Sequence, residues 1–148
     1  MINANRGQNL TVFAAIHLHG LLYYKMIDGA GSTTSFLEFL DELEPNLVMD
    51  NVRFHHSRSV LQWVATNSSN VTIEYLPPYS PELNPIEEFF HMEKSAYKRA
   101  NHPVAQDRQT MKARVTSVLE NLKEIDLSGL YRDMRRYLAI AYAGQPFL

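Results

Sequence analysis

The chain has 148 residues, 45% of them hydrophobic, enough for one domain with its own core. It has no cysteine, which excludes disulfides and thiolate metal centres, and no apolar run long enough to span a bilayer as a helix, so no membrane partner is expected. The net charge of −2 is unevenly spread: residues 1–93 hold 4 Lys+Arg against 11 Asp+Glu, and residues 94–148 hold 10 against 5. The basic last third could bind phosphates, or its helices could simply face water with their charges.

Residues 1–9 are polar, and the first six lack the apolar stretch of a secretory signal. Leu10 to Leu18 is rich in β-branched and apolar residues and reads as a strand. His19-Gly20 marks a turn, and Leu21 to Ile27 reads as the second strand of a hairpin, ended by Asp28-Gly29. Ser32, Thr33 and Thr34 offer caps for a helix over about 34–44, with Phe36, Leu37, Leu40 and Leu43 at helical spacing and Pro45 as its stop. Asn46 to Asp50 reads as a third strand and 51–56 as a loop. A helix over 57–67 is expected to pack through Val60, Leu61 and Val64. Val71 to Leu76 is the fourth strand. Four prolines and Ser80 then make a stiff connection to a helix over about 84–99. Asn84 can cap that helix, Pro85 suits its first position, and Ile86, Phe89, Phe90 and Tyr97 form its apolar stripe. Glu87, His91, Lys94 and Lys98 share a neighbouring stripe. Two further helices are expected over about 106–123 and 128–142, with Gly144-Gln145-Pro146 closing the chain. The order is that of a mixed α/β domain, RNase H-like but one strand short.

Asp50, at the carboxyl end of a short apolar strand, and Glu87, in the first turn of a helix, could face one another across a metal ion. Carboxylates suit hard cations such as Mg²⁺, and two-metal phosphoryl transfer uses such oxygen ligands. Each also has a plain structural reading. Asn84-x-x-Glu87 has capping-box spacing, and Asp50-Asn51 suits a turn. His55 and His56 could bind a transition metal or a phosphate, or be ordinary loop residues. Glu87 and His91 could ligate together or merely touch along the helix. Arg53 and Arg58 could contact DNA backbone or balance local acid, and Trp63 reads as core.

Two motifs narrow these alternatives. Leu47-Val48-Met49-Asp50-Asn51, followed by Arg53 and His55, resembles the strand and Asp-Asn-x-x-x-His segment of mariner-type (Tc/mariner) DDE transposases. The stretch from Leu76 to Glu87 resembles the PPYSPxLNPIE signature of the same family. Asn5 to Asn9, the hairpin and Asp28-Gly29 before a helix are also similar, so the resemblance covers about 1–100. It implies an RNase H-like endonuclease domain that binds two Mg²⁺ or Mn²⁺, cuts transposon ends and joins them to target DNA. Asp50 then corresponds to the second acidic ligand and Glu87 to the third, with 36 residues between them. The first, on the central strand of the sheet, has no match. The chain thus resembles a partial catalytic domain over 1–148, its motif-bearing core at about 10–100 and its last helices at about 106–142. Alone it is expected not to cut DNA.

The same resemblance implies transposon-end and target DNA as partners, a possible homodimer, and a nuclear location in a eukaryote or a cytoplasmic or nucleoid one otherwise. Asn51, Arg53, His55, Lys94 and Lys98 are candidate DNA contacts. One alternative is a transposase-derived protein that binds DNA or another partner without chemistry. Another is a standalone nuclease with a rewired site.

Overall fold

The structure, a computed structural model, describes residues 9–43, 46–78, 80–103 and 107–143. Its elements are β1 (Leu10–His17), β2 (Gly20–Asp28), α1 (Thr33–Leu40), β3 (Asn46–Met49), α2 (Arg58–Asn67), β4 (Thr72–Tyr75), α3 (Pro85–Arg99), α4 (Arg108–Leu122) and α5 (Ser128–Tyr142). Each falls within a few residues of its expected place. Asn5 to Gln8, Pro45 and Gly144 to Pro146 lie outside the described residues.

The hairpin is the wall around which the rest is built. β1 and β2 pair antiparallel from Leu10 opposite Asp28 to His17 opposite Gly20, with a bulge between Ala15 and Ile16. Side chains alternate across a strand, so Val12, Ala14 and Ile16 face one core while Phe13 and Ala15 face another. The first core contains the fully buried Phe89 and Leu119, brought in by α3 and α4. The second contains Leu40 and Val60, brought in by α1 and α2. Fully burying a side chain of this size contributes about 1.5–3 kcal/mol. Gly20 closes the hairpin at φ 132°, and a Cβ there would lie 2.0 Å from the Lys123 carbonyl oxygen. The end of α4 therefore sits against the turn only because residue 20 has no side chain.

Polar contacts fix the elements in place. Ser32 and Ser35 cap α1 reciprocally: Ser32 Oγ accepts from the Ser35 amide at 3.1 Å, and Ser35 Oγ accepts from the Ser32 amide at 2.9 Å. Lys112 Nζ lies 2.9 Å from Asp28 Oδ2, with Arg108 Nε 3.8 Å from Oδ1, which ties α4 to the end of β2. The Tyr24 hydroxyl donates to Glu120 Oε1 at 2.8 Å. Part of the basic last third thus pairs with Asp28, the acidic residue of the hairpin.

Among the described residues the strands form two two-stranded sheets, β1 with β2 antiparallel and β3 with β4 parallel, in keeping with an RNase H-like order one strand short. The split falls where the resemblance implies a central strand. Several expectations need correction. Helix α1 ends at Leu40, with Asp41 as its C-cap. Phe39 is buried at 4% exposure although the expected apolar positions omitted it. Leu61 is 48% exposed because it points away from the contact made by Val60. The expected loop at 51–56 contains a 3₁₀ turn, Arg53–His56. A second 3₁₀ turn, Pro81–Leu83, opens on the proline of the stiff connection, where a missing N–H costs no hydrogen bond.

Candidate functional site

β3 is apolar and short. It pairs in parallel with β4, Leu47 opposite Ile73 and Met49 opposite Tyr75, and the Leu76 amide donates to the Met49 carbonyl at 2.8 Å. Asp50 is the next residue, held at the end of the strand. The 3₁₀ turn then brings His55 back onto it. His55 Nδ1 lies 2.7 Å from Asp50 Oδ1 and 3.2 Å from the Asp50 carbonyl oxygen. Oδ1 is buried against the ring, while the geometry of a hydrogen bond is met toward the carbonyl. The His55 ring stacks on Phe36 of α1, centroids 4.9 Å apart and planes 13° apart. The Tyr75 hydroxyl donates to the His55 carbonyl at 3.1 Å. The stack on Phe36 and the backbone bond from Tyr75 favour the ring's place beside the carboxylate.

Glu87 comes from a different element, α3. Pro85 occupies the first position of α3, and Glu87 and Glu88 fall in its first turn, near the positive end of the helix dipole. Asn84 stands at the N-cap but makes no side-chain cap bond, so the alternative reading of Asn84-x-x-Glu87 as a capping box does not hold. The Glu87 amide bonds instead to the Asn84 carbonyl, at 3.2 Å. The Glu87 side chain is exposed. Asp50, His55, Asn84 and Glu87 line one cavity of about 820 Å³, whose other walls come largely from β1, β3 and α1.

The remaining candidates are distributed around this pair. Asn51 Oδ1 contacts His56 Nε2 at 2.7 Å, and the His56 ring packs on Tyr75. Arg53 is exposed at the start of the 3₁₀ turn. His55 faces Asp50 from within. His91, Lys94 and Lys98 are exposed along α3, on the stripe that begins at Glu87. Trp63 is half-buried in the second core, and its Nε1 donates to Asp41 Oδ1 at 2.6 Å. Glu93, absent from the sequence-based candidates, is buried on α3 four residues after Phe89. Burial pushes its carboxyl above the usual range, with Lys94 partly offsetting this. Its i, i+4 spacing from Phe89 was the signal that could have found it.

The residues present suit a hard divalent cation in part. Asp50 and Glu87 supply carboxylates from two separate elements around one cavity, and Asp50 Oδ1 lies against His55 Nδ1 at 2.7 Å. Carboxylate oxygens are the ordinary ligands of such a cation. No three His, Asp or Glu side chains converge among the described residues.

Comparison with known proteins gives the family and the fold. A sequence profile of the DDE superfamily endonucleases matches residues 2–112. No curated protein sequence matches the chain. Among solved structures, the catalytic domain of Mos1 mariner transposase matches with a TM-score of 0.65 at 16% identity, over 93% of this chain and 75% of that one. The Mos1 mariner paired end complex with Mn matches with a TM-score of 0.71 at 16% identity, over 100% of this chain and 48% of that one. The Mos1 strand transfer complex matches with a TM-score of 0.67 at 16% identity, over 97% and 45%. The chain therefore spans about half the length of the longer Mos1 chains and three quarters of their catalytic domain. At this identity the likeness is one of fold, and the fold is the RNase H-like one expected from the motifs.

Proposed function

We infer the function of this chain from its family, because it belongs to the DDE superfamily of endonucleases. It is a transposase-derived endonuclease domain, and we propose that its chemistry is metal-dependent DNA strand cleavage and transfer, with Asp50 and Glu87 as two ligands of Mg²⁺ or Mn²⁺. The observation that carries this reading is the pair itself. One carboxylate at the end of β3 and one at the start of α3 line a single cavity. Divalent cations held there would supply charge for an attacking hydroxyl and a leaving oxygen. The protein's own part is to hold the ligands: β3 fixes Asp50, His55 braces it, and the N-terminus of α3 presents Glu87. The likeness to a Mos1 paired end complex with Mn supports the choice of metal. That complex and the Mos1 strand transfer complex support DNA as partner.

Two carboxylates are fewer than such a site ordinarily uses, so a further oxygen ligand completes it before DNA is cut. Mn²⁺ titration followed by electron paramagnetic resonance tests the pair. Asp50→Asn and Glu87→Gln should each weaken binding about tenfold or more. Glu88→Gln, on the same turn but outside the cavity lining, should leave it unchanged. Equal binding by all four proteins would remove Asp50 and Glu87 from the site. In a plasmid-nicking assay with Mg²⁺, the chain alone should leave supercoiled DNA intact.

A further inference from the structure

The 3₁₀ turn Arg53–His56 makes two side-chain contacts back onto the end of β3, each between residues five apart. His55 lies against Asp50, and both line the cavity. His56 Nε2 lies 2.7 Å from Asn51 Oδ1, and these two residues stand outside the cavity lining. The second contact has its own support from β4. The His56 ring packs on Tyr75, centroids 4.2 Å apart and planes 32° apart. Tyr75 is itself held by its pairing opposite Met49 and by its hydroxyl, which donates to the His55 carbonyl at 3.1 Å.

The polarity of the Asn51–His56 contact decides what Asn51 can bind. A carboxamide has an acceptor end and a donor end, and its oxygen can only accept, so the His56 ring donates from Nε2. The acceptor end is thereby occupied. The Nδ2 group keeps two N–H donors with no partner among the described residues, on an exposed side chain next to Asp50. A group that offers only donors selects a ligand that only accepts, and the free oxygens of a DNA phosphate are of that kind. Arg53 and Arg58, exposed in the same turn and at the start of α2, supply positive charge that favours a phosphate there. We propose that His56 is a positioning residue, which turns the Asn51 carboxamide so that its N–H donors meet a DNA phosphate oxygen beside Asp50. Two adjacent histidines then have separate tasks, His55 toward the metal ligand and His56 toward the DNA contact. The inference rests on the reading of DNA as substrate.

The probe is a fluorescein-labelled DNA duplex of mixed sequence, titrated with the whole chain in the presence of Mn²⁺ and followed by anisotropy. Asn51→Ala should weaken binding about tenfold, the usual effect of losing a hydrogen bond to a charged group. The slope of log affinity against log salt should stay the same, because a carboxamide releases no counterion. His56→Phe keeps a ring on Tyr75 but has no donor. It should weaken binding about threefold or more, since an unfixed side chain must be ordered when DNA binds. His56→Gln returns an N–H donor and should recover most of that loss. In the Asn51→Ala background, His56→Phe should have no further effect. Mn²⁺ affinity and circular dichroism should match the parent in both His56 variants, whereas His55→Ala changes the metal titration. The inference is overturned by unchanged DNA affinity in Asn51→Ala or His56→Phe, by additive losses in the double variant, or by His56→Gln behaving as His56→Phe does. Weaker Mn²⁺ binding by His56→Phe would overturn it too, since the carboxamide oxygen would then serve the cation. A parent chain that binds no duplex would overturn the DNA reading itself, and this inference with it.

Discussion

The Asp50 carboxylate sits one residue past β3, where the chain turns back through the 3₁₀ turn that carries His55. Sequence spacing pointed to Asp50, but it could not show that His55, five residues on, lies against it at 2.7 Å rather than facing outward. That contact depends on the Phe36 ring of α1, which is distant in sequence and supplies the stacking surface. If His55 holds Asp50 in place, His55→Ala should weaken Mn²⁺ binding about tenfold, the usual effect of losing a group that orients a ligand. An unchanged titration would make the contact incidental. Glu93 makes a second residue-scale case. Its carboxyl is raised by burial, so the folded protein disfavours the charged form. The sign follows: its contribution to stability is intact below the unfolded carboxyl's range and is lost as pH rises through the higher folded value. Glu93→Gln cannot ionise. Its melting temperature should exceed the parent's at about pH 7, and the gain should shrink toward about pH 4. A gain of the same size at both values would contradict this account.

At the scale of elements, local rules located most of the chain. The hairpin, the Ser32 cap and Pro85 at the start of α3 were all legible, because turn residues, caps and apolar spacing act within a few residues. Ser32→Ala should remove one half of the reciprocal cap and cost about 1 kcal/mol in a urea melt. The limits were also local. Leu61 has the right periodicity but lies on the flank of α2, and Phe39 is buried because Phe13 and Tyr23 of the hairpin meet it, 5.7 and 5.6 Å between centroids. Neither partner could be known from the helix itself. Along α3, the exposed stripe from Glu87 through Lys94 to Lys98 places two positive charges on the element that presents the site. If DNA lies along this stripe, Lys94→Gln with Lys98→Gln should lower the slope of log affinity against log salt by about 2, since each phosphate contact contributes roughly 0.9. A slope that does not change would place the DNA elsewhere, with Arg99, Arg135 and Arg136 as the next positions to neutralise.

At the scale of the whole molecule, the two sheets are unequal. β1 and β2 span 8 and 9 residues and have a core on each side. β3 and β4 have four residues each, and every second one is exposed: Asn46 and Val48 in one, Thr72 and Glu74 in the other. Local stability follows buried apolar contact and protected backbone hydrogen bonds. The hairpin should therefore open only with global unfolding, while β3 and β4 open by a smaller, local step. This asymmetry was hidden in the sequence, because the apolar run at Leu47 to Met49 looks like a fully buried strand, whereas among the described residues β3 pairs on one side only, with β4. Native-state hydrogen exchange decides the point. Amides of Leu47, Val48 and Ile73 should exchange at lower free energy than those of Phe13, Ala14 and Tyr24, and the difference should narrow when Mn²⁺ binds Asp50, since a ligand for the closed form stabilises the element that carries it. Equal protection in both sheets without metal would mean that β3 and β4 are held by something other than their own pairing and the second core. Protection of β3 that Mn²⁺ leaves untouched would mean that the metal does not bind at the end of that strand.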